Sequence, residues 1–166
     1  MIIRELSEQD LVTRVAWMNH FSVYKTMHYD LPVSIERTNS WFSQKDKKSD
    51  RVDLVFIFDS ELVAMGGLTS IDQKVKKAEL YIFVNPNKQG QGLGSQAIQL
   101  LCNYAFSYIN LNKIYLEVDE DNSRARYLYE SSSFKLDGVL RQDSIRDDKL
   151  INRCVYSLLK KEHDIR

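Results

Sequence analysis

The sequence predicts one α/β domain, residues 1–166, built around a mixed sheet. Three observations carry that prediction. Strand-like and helix-like apolar patterns follow one another in the order βααβββαβαββ. A strand-like run, Tyr81-Ile82-Phe83-Val84, stops at Asn85-Pro86 and gives way to a turn with three of the chain's six glycines, after which a long amphipathic segment begins. The chain's 166 residues, 43% apolar and 28% charged, suffice for one sizeable core and are too apolar for a disordered polymer.

The elements read as follows. Ile2–Glu5 is a short strand. Ser7 is placed to cap a helix reaching about Asn19, with Leu11, Val15 and Met18 on one face. Residues 20–33 show no clear period and end near Pro32, as a loop or broken helix does. Ser34 caps a second helix carrying Ile35, Thr38, Trp41 and Phe42. Residues 44–50 form a polar loop whose Lys45, Lys47 and Lys48 read as a solvated run. Residues 54–58 and 62–71 make a hairpin turning at Asp59-Ser60. Gly66-Gly67 inside its second strand marks a bulge or a close backbone approach. Lys77–Val84 is a further strand. The longest helix spans 94 to about 108, with Ala97, Ile98, Leu101, Tyr104, Ala105 and Tyr108 at helical spacing. A strand at 113–118 and a helix at Ser123–Ser131 follow. Strands near 135–141 and 150–159, turning at Asp147-Asp148, close the chain.

Composition removes several functions. Lys plus Arg and Asp plus Glu both number 23, so the chain is not a generally basic nucleic-acid binder. No apolar run approaches the roughly 18 residues of a membrane span, and Met-Ile-Ile-Arg-Glu-Leu is not a signal peptide. Cys102 and Cys154 lack CxxC spacing and read as reduced thiols, so a cytoplasmic location is expected. His20, His28 and His163 have no metal-ligand spacing, and no metal is expected; His20 and His28 read as surface residues.

The glycine turn, Gln89-Gly90-Gln91-Gly92-Leu93-Gly94-Ser95, is the most informative stretch. Strand, glycine turn and helix start together bind phosphate: the first amides of a helix have no internal partner, and the helix dipole makes that end partly positive. A dinucleotide fingerprint would need a third glycine where Ser95 stands. A P-loop would need Lys-Ser/Thr after Gly94. What remains is Gln89-x-x-Gly92-x-Gly94. A second segment follows at a fixed distance: Leu116-Glu117-Val118, then Asn122, Ala125 and Leu128-Tyr129-Glu130.

Together the two segments resemble the signatures of the GNAT family of N-acetyltransferases, which bind acetyl-coenzyme A. The resemblance covers residues 50–160. The first third, with Trp17, Asn19, Pro32 and Trp41-Phe42, resembles the branch of ribosomal-protein, spermidine and amino-sugar acetyltransferases. It implies a mostly antiparallel sheet of six to seven strands flanked by about four helices. Residues 1–50 would form the acceptor side and 50–160 the coenzyme-binding core. It further implies that Gln89, Gly90, Gln91, Gly92, Leu93, Gly94 and Ser95 hold the pyrophosphate. Ile82, Phe83 and Val84 would present backbone groups to the pantetheine, with a bulge or splay freeing an amide for the thioester oxygen. Asn122 would reach the coenzyme from the other side. Tyr129 matches the family's general acid. Glu117 matches a base used by some members, and Glu79 on the preceding strand is the alternative.

The implied activity is acetyl transfer to a primary amine by direct attack in a ternary complex. The acceptor would be a polyamine, an amino-sugar nucleotide or a protein N-terminus. A catalytically silent acyl-coenzyme A-binding module is the alternative, and pairing of exposed sheet edges would give a homodimer. One departure is local: the family ends the helix after Tyr-Glu with glycine, where this chain has Ser133. A serine there must adopt a left-handed backbone, at a cost of up to about 1 kcal/mol.

Overall fold

The structure, a computed structural model, describes residues 1–44 and 50–163; Lys45, Lys47 and Lys48 lie outside the described residues. The strands are β1 (Ile2–Glu5), β2 (Val52–Phe58), β3 (Glu61–Asp72), β4 (Lys77–Val84), β5 (Lys113–Asp119), β6 (Lys135–Arg146) and β7 (Lys149–Leu159). They form one sheet in the order β1-β2-β3-β4-β5-β7-β6. Every neighbouring pair is antiparallel except β4 and β5, which run parallel. The sheet is therefore mixed and mostly antiparallel, as predicted.

The helices of the described residues are α1 (Leu11–Met18), α2 (Phe21–Tyr24), α3 (Ile35–Ser43), α4 (Leu93–Asn103), α5 (Ser123–Ser131) and α6 (Lys160–His163). Their starts follow local chemistry. The Ser7 amide and hydroxyl both donate to Asp10 Oδ2, at 2.9 and 2.8 Å, opening a 3₁₀ turn that runs into α1. The Ser34 hydroxyl accepts from the Arg37 amide at 3.2 Å, and Asn122 Oδ1 accepts from the Ala125 amide at 3.1 Å; each satisfies a donor the helix cannot. The β2–β3 turn puts Asp59 and Ser60 at φ 49° and 64°, and the β6–β7 turn puts Asp147 and Asp148 at 49° and 58°. Two consecutive left-handed residues match the twist of the flanking strands.

Strand alternation splits the core between the two faces of the sheet. Leu54, Phe56, Leu68, Leu80, Ile114, Leu116 and Leu158 pack under α4 with Ile98 and Leu101, joined by Leu128 and Tyr129 of α5. Val55, Met65 and Phe83 point the other way, against Leu11, Trp17, Val23 and Trp41 from α1, α2 and α3. At Gly66-Gly67 the structure selects close approach over a bulge, because the β2–β3 register runs unbroken there. A Cβ on Gly67 would lie 2.0 Å from the Val52 carbonyl oxygen, and one on Gly66 would lie 2.7 Å from that of Tyr81.

Three boundaries differ from the sequence reading. The long helix begins at Leu93, its α pattern ends at Asn103, and a π turn, Tyr104–Tyr108, completes it. β6 runs on to Arg146 instead of stopping at Arg141. Residues 20–33 hold the single-turn α2 and a cis Leu31–Pro32 bond.

Ser133 takes the left-handed conformation its position demands, φ 71°. The Phe134 amide donates to the Tyr129 carbonyl at 3.0 Å and the Ser133 amide to that of Glu130 at 3.1 Å, while the Tyr129 and Phe134 rings meet at 5.7 Å. This is a Schellman end to α5 with a serine where glycine is preferred. Ser133→Gly is expected to stabilise the fold by up to about 1 kcal/mol. Urea unfolding reads it, and a less stable variant would show that the serine is not strained.

Candidate functional site

β4 and β5 pair only through Lys77↔Lys113, Ala78↔Ile114 and Glu79↔Tyr115. Beyond that point they part. Residues 80–84 of β4 and 117–119 of β5 become opposite walls of a cleft of about 760 Å³, within the roughly 300–1,000 Å³ of small-molecule sites. Helix α4 begins just past the end of β4 and α5 just past the end of β5, so both present their N-termini to one opening. Residues from 22 to 28, in α2 and the loop after it, also line the cleft.

The glycine turn shapes one end of the cleft. Gly90 and Gly92 have φ 82° and 75°, and Gly92 is the N-cap of α4. A Cβ at either would meet no atom within 4 Å, so glycine serves backbone shape there and not packing. A Cβ on Gly94 would lie 3.4 Å from Val84 Cγ2 and 3.6 Å from Leu128 Cδ2. Its absence lets the first turn of α4 settle between β4 and α5. Gln89 Nε2 donates to Ser22 Oγ at 3.2 Å, tying the turn to α2. Of the predicted coenzyme-binding residues, Ile82, Phe83, Val84, Gln89, Gly90, Gly92, Leu93, Gly94, Ser95 and Asn122 line the cleft. Gln91 is exposed and is not among the lining residues. The Asn122 carbonyl caps α5, leaving its amide nitrogen as the group able to donate into the cleft.

The predicted catalytic residues Tyr129, Glu79 and Glu117 all line this cleft. Burial alone pushes the Tyr129 phenol up to about 12. Glu79 and Glu117 lie on the same face of adjacent strands, and their situations differ. Burial, and secondarily the Glu117 charge, raise the pKa of Glu79, against the lowering influence of Arg153 and a hydrogen bond from Thr69. Glu117 instead forms an ion pair with Arg153 at 2.6 Å.

Sequence reasoning missed the charged groups gathered around Asp119 and Asp53. Arg153 stands directly opposite Asp119 in the β5–β7 register and diagonal to Glu117, which places one guanidinium beside two carboxylates on one face. Asp119, 4% exposed, takes the Nε of Arg146 at 2.8 Å and Nε2 of His28 at 2.7 Å. His28 Nδ1 faces Ser144 Oγ at 3.1 Å, and Arg146 also reaches the Lys25 carbonyl. His28, read as a surface residue, therefore sits at the mouth of the cleft and fastens the covering loop to β5 and β6. Behind the wall, Arg51 grips buried Asp53 through Nε at 3.0 and 2.8 Å and Nη2 at 2.8 Å, and the Tyr81 hydroxyl donates to the same carboxylate. Asp119 lies in an acidic run visible in the sequence. Its partners lie 91 and 27 residues away, which no local pattern reveals.

Known proteins share this fold. A family model described as "Acetyltransferase (GNAT) family" matches residues 14–134. The chain is 32% identical over 116 residues to an uncharacterized N-acetyltransferase, p20, of Bacillus licheniformis, covering 70% of this chain and 65% of that one. It is 34% identical over 101 residues to the spermidine N(1)-acetyltransferase of Escherichia coli K12, covering 59% and 54%. The chain thus spans between half and two thirds of these two relatives. A crystal structure of a Vibrio cholerae spermidine N-acetyltransferase in complex with CoA and spermine superposes with a TM-score of 0.93, covering 98% of this chain and 96% of that one. At 22% identity, that likeness is one of fold.

Proposed function

The chain belongs to the GNAT acetyltransferase family, and from that premise we propose that it transfers the acetyl group of acetyl-coenzyme A to a primary amine by direct attack in a ternary complex. The observation that carries the reading is the β4–β5 splay, because one cleft holds a helix-start anion cradle, a protonated phenol and a carboxylate of raised pKa.

The residues present fit the coenzyme. The amides of Leu93, Gly94 and Ser95, with the left-handed turns at Gly90 and Gly92, suit its pyrophosphate. The unpaired edge of β4 at Ile82, Phe83 and Val84 suits an amide-bearing arm, and Asn122 supplies a side-chain donor opposite. When bound, acetyl-coenzyme A supplies an acetyl thioester. Glu79 takes the proton of the amine. A raised pKa brings a carboxylate closer to the poise a general base needs, while Glu117 is engaged in its ion pair with Arg153. Tyr129 keeps its proton throughout the neutral range and gives it to the departing thiolate. Two buried cysteines outside any disulfide, Cys102 and Cys154, fit a reducing compartment, so a cytoplasmic setting is part of this reading.

Thiol release from acetyl-coenzyme A across a panel of amines tests the activity; coenzyme binding with no release on any amine would leave only a binding module. The base assignment has its own expected outcome. Glu79 acts only when deprotonated, so its raised pKa moves the acidic limb of the kcat/KM profile above the ordinary carboxylate range. Glu79→Gln is expected to remove that limb and lower kcat/KM about 10²- to 10⁴-fold. Glu117→Gln should affect it less. The reverse order would make Glu117 the base.

A further inference from the structure

We infer that Arg153 is a positioning residue of this site: reaching in from β7, it engages Glu117 and leaves Glu79 as the carboxylate that meets the acceptor amine; the inference rests on the acetyl-transfer reading above. Glu79 closes the short β4–β5 ladder, opposite Tyr115. Glu117 lies two residues further along β5 on the same face, where the strands part. Two half-buried carboxylates thus line one cleft from neighbouring strands. Like charges so placed repel, and each makes the other harder to deprotonate. The β5–β7 ladder brings in the opposing charge. Arg153 stands opposite Asp119 and diagonal to Glu117, and it lines the same cleft.

Asp119 decides which way that guanidinium leans. Both of its oxygens are already engaged, Oδ1 with His28 Nε2 at 2.7 Å and Oδ2 with Arg146 Nε at 2.8 Å. Arg153 Nε accordingly stays 3.9 Å from Asp119 Oδ1, while Nη1 closes to 2.6 Å on Glu117 Oε2. The groups that face Glu79 come from several elements. Thr69 is its neighbour on β3 and donates a hydrogen bond; Tyr115 and Glu117 face it from β5, and Arg153 from β7. On its own strand, Lys77 holds its ammonium 5.8 Å from the centroid of the Tyr115 ring, and Arg14 of α1 sits against Tyr81. Burial and Glu117 raise the pKa of Glu79, while Arg153 and Thr69 oppose them. Arg153 therefore acts twice in one direction: its own charge favours the ionised Glu79, and its grip on Glu117 offsets the charge that disfavours it.

The test is the pH profile of kcat/KM for thiol release from acetyl-coenzyme A. The acceptor is whichever of spermidine, glucosamine and a dipeptide amide reacts fastest, so that the amine's own titration is common to every variant. Glu79 acts deprotonated, so activity falls as pH drops through its pKa. Arg153→Met is expected to move that acidic limb up by about one pH unit, the low end of what a neighbouring charge does. Arg153→Lys keeps the charge and should return the limb toward its parental place. Glu117→Gln should move it the other way, down. Arg153→Met combined with Glu117→Gln should place the limb between the two single variants. The combined variant removes a whole ion pair, so if Arg153→Met does not fold alone, its limb is compared with that of Glu117→Gln and should lie higher. A limb that stays in place or moves down without Arg153, whatever the overall rate, would overturn the inference, as would equal limbs for the lysine and methionine variants. Loss of the limb in Glu117→Gln would make Glu117 the base and overturn it too. Absence of thiol release by the parent with all three amines would instead remove the acetyl-transfer reading on which the inference rests.

Discussion

Tyr129→Phe is expected to lower kcat by about ten- to a thousandfold and to change coenzyme affinity by no more than about twofold. The substitution removes one oxygen and keeps the ring, so the contact with Phe134 and the end of α5 survive. What is lost is the proposed proton donor. Burial pushes the phenol up to about 12, which fixes it in the protonated form across any neutral assay but also weakens it as an acid. The weakening is smaller than the shift suggests, because a thiolate leaving in the same partly buried cleft is desolvated too, and desolvation raises the basicity of any anion. Donor and acceptor move together. Single-turnover thiol release and calorimetric coenzyme binding separate the two effects, and an unchanged rate would mean that another group protonates the sulfur.

The parts of the fold that could be read in advance are those whose cause is local. β4 ends at Val84 because Asn85-Pro86 cannot continue it, and α5 begins at Ser123 because Asn122 caps it; both elements match their predicted bounds. The glycine turn was legible because a left-handed backbone at Gly90 and Gly92 requires that residue type. β6 was read too short because it is an edge strand with polar residues on both faces, so past Arg141 no alternation marks it. The π turn at Tyr104–Tyr108 keeps its aromatic residues near helical spacing and is silent in the sequence. At the site, Tyr129, Glu117 and the turn announced themselves by spacing. The proposed ranking of Glu79 over Glu117 did not, because it depends on Arg153, which only the antiparallel register of β7 delivers to the side of Glu117. The buried Arg14, brought against Trp41, Tyr81 and Phe83 by the meeting of α1, α3 and β4, is of the same non-local kind.

Asp53→Ala should be the most destabilising of the single changes considered, by about 3–5 kcal/mol. Asp53 is fully buried on β2, its carboxylate takes three hydrogen bonds from Arg51, and the Tyr81 hydroxyl donates to it as well. The Arg51 guanidinium also lies 4.9 and 5.3 Å from the ring centroids of Trp41 and Tyr81, so the cluster bolts α3, β2 and β4 together. Truncating the aspartate removes the acceptor from a cation and a phenol that are each partly buried. The cost comes from what is left behind more than from the bond that is lost. That asymmetry makes a second measurement decisive: Arg51→Met combined with Asp53→Leu removes both charges, leaves only the Tyr81 hydroxyl to find a partner, and should cost distinctly less than Asp53→Ala alone. Urea unfolding of the two variants reads the difference. Because Tyr81 lies two residues from Glu79 on the same face of β4, the single variant should also lose kcat/KM at temperatures where it remains folded. If Asp53→Ala unfolds within about 1 kcal/mol of the parent, or the double replacement proves the worse of the two, the cluster does not anchor the acceptor wall to the sheet.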